Sequence, residues 1–187
     1  MKILSESFFN KSTLKTAKDL LGKYLVHQNL VGKIVETEAY LKNDPASHSF
    51  KGKTERNKSV FGRLGTAYVY FTYGMHHCFN VVTNKGFGEA ILIRALEPIS
   101  GIKIMQKNRK LNDVKNLCNG PAKLTLALGI NRTNDGVNLL DKNSSLRLMQ
   151  DKKEKFEIFA TNRIGISQAK EKLYRFYVKD SEFVSRK

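Results

Sequence analysis

Apolar positions recur at helical spacing near the start of the chain and then at every second residue through most of the remainder. Leu14, Ala17, Leu20 and Leu21 fall on one helical face, which Ser12 or Thr13 can cap and Gly22 can stop. Residues 23–28 and 31–40 alternate as two strands around a turn at Gln28-Asn-Leu-Val-Gly32, and the second ends in Glu36-Thr-Glu-Ala-Tyr40. Strand patterning resumes at 66–73, 75–83 and 90–96, with Asn84-Lys-Gly-Phe-Gly88 as a turn, which predicts an antiparallel meander. Pro98 to Lys110 reads as a helix with Ile99, Ile102 and Met105 inward and Lys103, Lys107, Arg109 and Lys110 outward. Pro121 and Gly129 bracket a second short helix. Alternating runs at 146–148, 156–160 and 173–178 predict further strands.

The pattern breaks between residues 41 and 63 into Asn, Asp, Pro, Ser, Gly and charge. An ordered loop of that length is unusual without a task. No repeat, low-complexity tract or linker divides the chain, and its 187 residues suit one domain spanning 1–187.

Charge narrows the partner class. Thirty-three Lys and Arg against 17 Asp and Glu give a net charge of +16, which attracts a polyanion and holds it through displaced counterions. Nucleic acid leads, although an anionic membrane surface also suits this charge. The amino terminus lacks the apolar core of a signal peptide and no apolar run is long enough to span a bilayer, so a cytoplasmic protein is expected. Cys78 and Cys118 lie forty residues apart with no CxxC and no histidine spacing for zinc. Both read as buried thiols. We expect no metal and no cofactor.

Candidate chemistry gathers where strands meet loops. Alternation puts Glu36, Glu38 and Tyr40 on one face of their strand and Val35, Thr37 and Ala39 on the other. A carboxylate at a strand end beside an irregular loop suits a general base on a rigid mount, but periodicity does not choose between Glu36 and Glu38. Tyr68 and Tyr70 share a face, whereas Tyr73 falls out of phase at the Tyr73-Gly74 tip, where an aromatic ring can wedge into a base stack. Arg94 interrupts an apolar strand, so its guanidinium must pair with a carboxylate, bind a ligand's phosphate, or do both. His48 lies in the irregular loop, and His76-His77 follow the tip. A lone histidine is usually polar packing, so His48 matters only through its neighbours.

Taken in order, Glu36-Thr-Glu-Ala-Tyr40, Ala46-Ser-His48, Gly65-Thr-Ala-Tyr-Val-Tyr70, Tyr73-Gly-Met75, Cys78-Phe-Asn80, Leu92-Ile-Arg-Ala-Leu-Glu-Pro98 and Asn119-Gly-Pro-Ala-Lys-Leu124 resemble the alkyladenine (3-methyladenine) DNA glycosylases. The series runs from about residue 8 to residue 180. The resemblance implies a mixed α+β single domain around a curved antiparallel sheet or open barrel, with peripheral helices and a protruding hairpin that intercalates into DNA. It implies a monofunctional enzyme that flips damaged purines out of duplex DNA and hydrolyses the N-glycosidic bond with an activated water, in base excision repair. It makes Glu38 the base and Arg94 the group that orients water and a phosphate. Tyr40, His48, Tyr70 and Asn80 become the lining of the flipped-base pocket: Tyr40 and Tyr70 stack, and Asn80 screens against the amino groups of normal purines. Tyr73 becomes the intercalating side chain, flanked by Met75 and His76 in the minor groove.

Three departures from mammalian members bear on lesion preference and nonspecific affinity: a shorter loop between Tyr40 and His48, the pair His76-His77, and no extended amino-terminal tail. Lys123 is the motif lysine nearest to a Schiff-base role and reads as structural or DNA-contacting, so no strand cleavage is expected. The partner expected is damaged duplex DNA, with no membrane and no obligate protein partner, and the enzyme is expected to be a monomer. Two rival readings remain at this level: a non-catalytic nucleic-acid-binding module, and a tRNA binder akin in shape to the accessory domain of formyltransferases.

Overall fold

A computed structural model describes residues 1–72, 74–152 and 154–186. The chain is a mixed α+β fold in which three short helices pack on a curled, wholly antiparallel sheet. Its strands are β1 (Lys2–Ile3), β2 (Tyr24–His27), β3 (Leu30–Tyr40), β4 (Ala67–Thr72), β5 (His76–Asn84), β6 (Glu89–Ser100), β7 (Leu146–Gln150), β8 (Ile158–Thr161) and β9 (Arg175–Val178). The helices are α1 (Thr13–Leu20), α2 (Ile102–Arg109) and α3 (Pro121–Leu128). The order across the sheet is β1-β7-β2-β3-β6-β5-β4, and the β8–β9 pair is attached through β9 to β3. No helix among the described residues is long and apolar enough to cross a membrane.

Local chemistry explains the main elements. The Ser12 hydroxyl accepts from the Lys15 amide and so caps α1. That helix buries Ala17 and Leu20 against the core. Pro121 occupies the first turn of α3, and Gly129 ends it in a left-handed conformation that glycine adopts without steric cost. The core draws on residues from Leu4 to Phe176, including Ile34, Val69, Phe79, Ile91, Ile93 and Leu124. The meander appears as predicted: β4 pairs with β5 from Ala67↔Val81 to Thr72↔His76, and β5 pairs with β6. Tyr73, which the sequence pattern puts at a tip between these strands, lies outside the described residues.

Two expectations are corrected. Pro98 and Ile99 belong to β6, and α2 starts at Ile102 after Gly101. Pro98 is tolerated because it opposes Gly32 beside a shift of register at Val31/Gly32, where the ladder is already irregular. Ile99 is consequently exposed rather than inward. The strict alternation expected for 35–40 also fails at one position. Ile34 opposes Leu96 and Glu36 opposes Ala95, so Val35 is an extra residue in the ladder. It packs with Ala95 and Val184 instead of joining Ala39 in the main core.

Candidate active site

The alternation of four adjacent strands builds one chemical face. Val69, Phe79, Val81, Ile91, Ile93 and Ala39 enter the core. Their sequence neighbours Tyr68, Tyr70, Cys78, Asn80, Leu92 and Tyr40 line a cleft of about 510 Å³ on the opposite face. Register sets residues side by side, with Glu38 opposite Leu92, Leu92 opposite Asn80 and Asn80 opposite Tyr68. Arg94 joins this face through an irregularity: Thr37 opposes Ile93 and Glu36 opposes Ala95, which leaves Arg94 as an extra residue on β6. Such bulges re-aim a side chain. Here the guanidinium is directed at Glu36 and Glu38.

The structure separates the two glutamates that periodicity left equivalent. Both are fully buried. Glu36 Oε1 accepts from Arg94 Nε at 3.2 Å, Arg175 Nε at 2.6 Å and Ser185 Oγ at 2.8 Å, and its Oε2 accepts from the Ser185 amide at 2.6 Å. Three of these four donors converge on Oε1, and among the described residues the Ser185 amide alone supplies Oε2. Glu38 is less encumbered. Its Oε1 accepts from the Ile164 amide at 2.8 Å and lies 3.3 Å from Arg94 Nη1, while Oε2 accepts the Tyr40 hydroxyl at 2.8 Å. Among the described residues Tyr40 is the single donor to Oε2, so that oxygen keeps acceptor capacity. Burial raises the pKa of Glu38, against the opposing pull of Arg94, the Ile164 amide and the Tyr40 hydroxyl.

Glu38 itself does not line the cleft. Tyr40, Arg94 and Ile164, which all touch it, do. The carboxylate is thus buried behind residues that line the cleft.

Tyr40 and Tyr70 contribute rings to the lining, and burial pushes both hydroxyls above the ordinary phenol value. The Arg163 guanidinium packs over the Tyr40 ring, 4.6 Å from its centroid. His48 is set edge-on to Tyr70 at 4.3 Å between centroids, and its Nδ1 lies 3.0 Å from the Tyr68 hydroxyl. Desolvation of the ring against these tyrosines, helped by the Arg56 charge, lowers the His48 pKa and favours neutral imidazole. Tyr68 is pushed up to about 12, first by burial and then by the charge of Asp135. Asn80 is buried and donates from Nδ2 to the Tyr68 carbonyl at 3.0 Å. Cys78 is buried, as expected, and hydrogen-bonds the Tyr70 hydroxyl across the hairpin. Cys118 is buried as well.

The irregular loop is ordered by particular contacts. Asn57 donates to the carbonyls of His48 and Gly52, Ser49 Oγ donates to the Gly88 carbonyl, and Asp44 forms a fully buried ion pair with Arg163. Met75 and His76 are exposed at the hairpin end, Met75 to 69%. Lys123 donates to Asn119 Oδ1 at 2.8 Å and is not part of the cleft lining. No cluster of His, Cys, Asp or Glu suited to a metal occurs among the described residues. Sequence reasoning missed Asp44, Asn57, Arg163, Ile164, Arg175 and Ser185. The acid–base pairing of Asp44 with Arg163 spans 119 residues, and Ile164 acts through its backbone, so neither leaves a local sequence signal.

Comparison with known proteins agrees with this architecture. Residues 7–182 match the family model of methylpurine-DNA glycosylase. The chain belongs to that family. A relative from Francisella tularensis subsp. tularensis, named "Putative 3-methyladenine DNA glycosylase", is 57% identical over 97% of this chain and 98% of its own length. Proteins of the same name from Carboxydothermus hydrogenoformans and Clostridium tetani are 47% and 45% identical, covering 99% and 100% of this chain and 100% of each relative. The glycosylase is therefore a hydrolase of DNA repair, which sets aside the non-catalytic and tRNA-binding readings.

Proposed function

We propose that this glycosylase excises alkylated or deaminated purines, such as 3-methyladenine and hypoxanthine, from duplex DNA, using a water activated by Glu38. The observation that carries the reading is the contrast between the two buried glutamates. Among the described residues Glu36 has four donors, and its partners Arg175 and Ser185 are not part of the cleft lining, whereas Glu38 has three close donors, Tyr40, Arg94 and the Ile164 amide, all from residues that line a cleft rich in tyrosine.

The target base must first leave the stack, and a damaged or weakly paired purine costs less to extrude. Tyr73 takes the role of the wedge that fills the gap, with Met75 and His76 beside it in the minor groove. In the cleft, the faces of Tyr40 and Tyr70 favour an electron-poor ring, by about 0.5–2 kcal/mol for a cationic purine. Neutral His48 serves as a polar wall, and Asn80 screens exocyclic amino groups.

Cleavage of the N-glycosidic bond leaves its electron pair on the base and develops oxocarbenium character at C1′. The ionised Glu38 stabilises that charge, Arg94 orients water and a phosphate, and water attacks C1′ as its proton passes to Glu38. A cationic alkylpurine departs neutral and needs no general acid. Hypoxanthine departs with a formal negative charge unless it gains a proton, so its release is the more demanding. Lys123 stands apart from the cleft, which favours water over an amine as nucleophile and a monofunctional enzyme.

The test is single-turnover release of 3-methyladenine and hypoxanthine from duplex DNA by the wild type and by Glu38→Gln. The variant should lose about 10²- to 10⁴-fold in rate while still binding lesion duplex. Equal rates would remove Glu38 from its role.

A further inference from the structure

Glu36 takes no part in the proton transfer assigned to Glu38, yet it is the most heavily hydrogen-bonded carboxylate among the described residues. Its surroundings share one feature. Arg94 uses all three guanidinium nitrogens on this cluster: Nε meets Glu36 Oε1 at 3.2 Å, Nη2 donates to Ser185 Oγ at 3.4 Å, and Nη1 is left 3.3 Å from Glu38 Oε1. A guanidinium is planar and rigid, so fixing two of its nitrogens fixes the direction of the third. Ser185 in turn is tied to Glu36 through both its hydroxyl and its amide. The segment that carries it is anchored by Val184, which packs with Val35 and Ala95, and by Arg175, which donates to the Arg186 carbonyl. The two bulges make this possible, since Val35 turns toward Val184 and Arg94 toward the glutamates.

We propose that Glu36 and Ser185 are positioning residues: together with Arg175 they lock Arg94 so that one nitrogen faces Glu38, and the C-terminal segment 183–186 is thereby part of the catalytic apparatus. This rests on Glu38 as the base. The charge balance follows from the same geometry. Glu36 and ionised Glu38 offset Arg94 and Arg175, so Glu38 ionises in a neutral cluster. The groups facing Glu38 are Glu36 and Tyr40 from β3, Cys78 from β5, Arg94 from β6 and the Ile164 amide. Arg175 acts through Glu36, and Arg163 through the Tyr40 ring.

Replacing Glu36 by Gln removes a like charge beside Glu38 and the carboxylate that competes with it for Arg94. Both changes favour the Glu38 carboxylate, so the acid limb of the rate profile moves to lower pH, by about one unit, a tenfold change in the ionisation constant. Ser185→Ala frees Arg94 Nη2 and lowers the single-turnover rate about tenfold at every pH, an effect on the order of one charge-assisted hydrogen bond, and Ser185→Thr restores it.

The experiment measures base release from a 3-methyladenine duplex across pH for wild type, Glu36→Gln, Ser185→Ala, Ser185→Thr and Glu38→Gln, each rate normalised to folded enzyme by active-site titration. A purely structural role would lower the thermal midpoint but leave normalised rates and the acid limb where they are, and that result overturns the proposal. If Glu36→Gln does not fold, Ser185→Ala and its rescue decide alone. Retained activity in Glu38→Gln would sink the base assignment itself. An inactive Glu38→Gln beside wild-type behaviour in the other variants would sink only the positioning of Arg94.

Discussion

Tyr40→Phe isolates the hydrogen bond that holds the proposed base. The phenol donates to Glu38 Oε2 at 2.8 Å, and the carboxylate is fully buried, so solvent does not screen the loss. A hydrogen bond to a charged group contributes about 1.5–3 kcal/mol, and a pKa unit corresponds to about 1.4 kcal/mol. The bond favours the ionised form, and its removal raises a pKa that burial already holds above the ordinary carboxylate range. Because the reaction needs ionised Glu38, the acid limb of the single-turnover profile should move to higher pH by about one to two units. This is opposite in sign to the shift expected for Glu36→Gln. The ring remains, so affinity for lesion duplex, measured by fluorescence anisotropy at fixed salt, should change little. An unmoved limb with unchanged affinity, or a limb moved downward, would refute the assignment of Glu38. A loss of affinity with no change of limb would instead restrict Tyr40 to stacking.

Three further outcomes rest on the same geometry. Asp44→Ala strands Arg163 without its buried partner and should cost about 3–5 kcal/mol in denaturant unfolding, while adding Arg163→Met should recover much of that loss. Glu38→Gln should be more stable than wild type at neutral pH. A carboxyl whose folded pKa is raised contributes stability that is complete below its unfolded pKa and lost as pH rises through the folded one, so the advantage of the amide should fade toward acid in thermal melts. Met75→Ala should leave unfolding free energy within about 0.5 kcal/mol, since the side chain is 69% exposed, yet weaken binding to lesion duplex; unchanged binding would remove Met75 from the DNA contact.

Period-two alternation is enough to put Tyr68, Tyr70, Asn80 and Tyr40 on one side of their strands, because the pleat sends alternate side chains to opposite faces regardless of what lies beyond. It fails where the ladder departs from the pleat. Val35 and Arg94 are each an extra residue opposite a shorter partner, and an insertion of this kind has no local signature in a sequence of apolar β-formers. Pro98 misleads for a related reason: as a helix start it looks orthodox, but the irregular ladder beside Gly32 tolerates it within a strand.

The choice between Glu36 and Glu38 lies beyond any local rule, since both are buried, both touch Arg94 and both follow the same period. The groups that distinguish them arrive from far along the chain. Arg175 and Ser185 reach Glu36 from separations of 139 and 149 residues, and the Ile164 amide reaches Glu38 from 126. One of those donors is a backbone group that any residue except proline could supply. The surroundings of each carboxylate are therefore set by donors from the distant chain as much as by its position in the strand. Of the two glutamates, Glu38 has fewer donors among the described residues and all of them belong to cleft-lining residues, which is the basis for proposing it as the group that takes a proton from water.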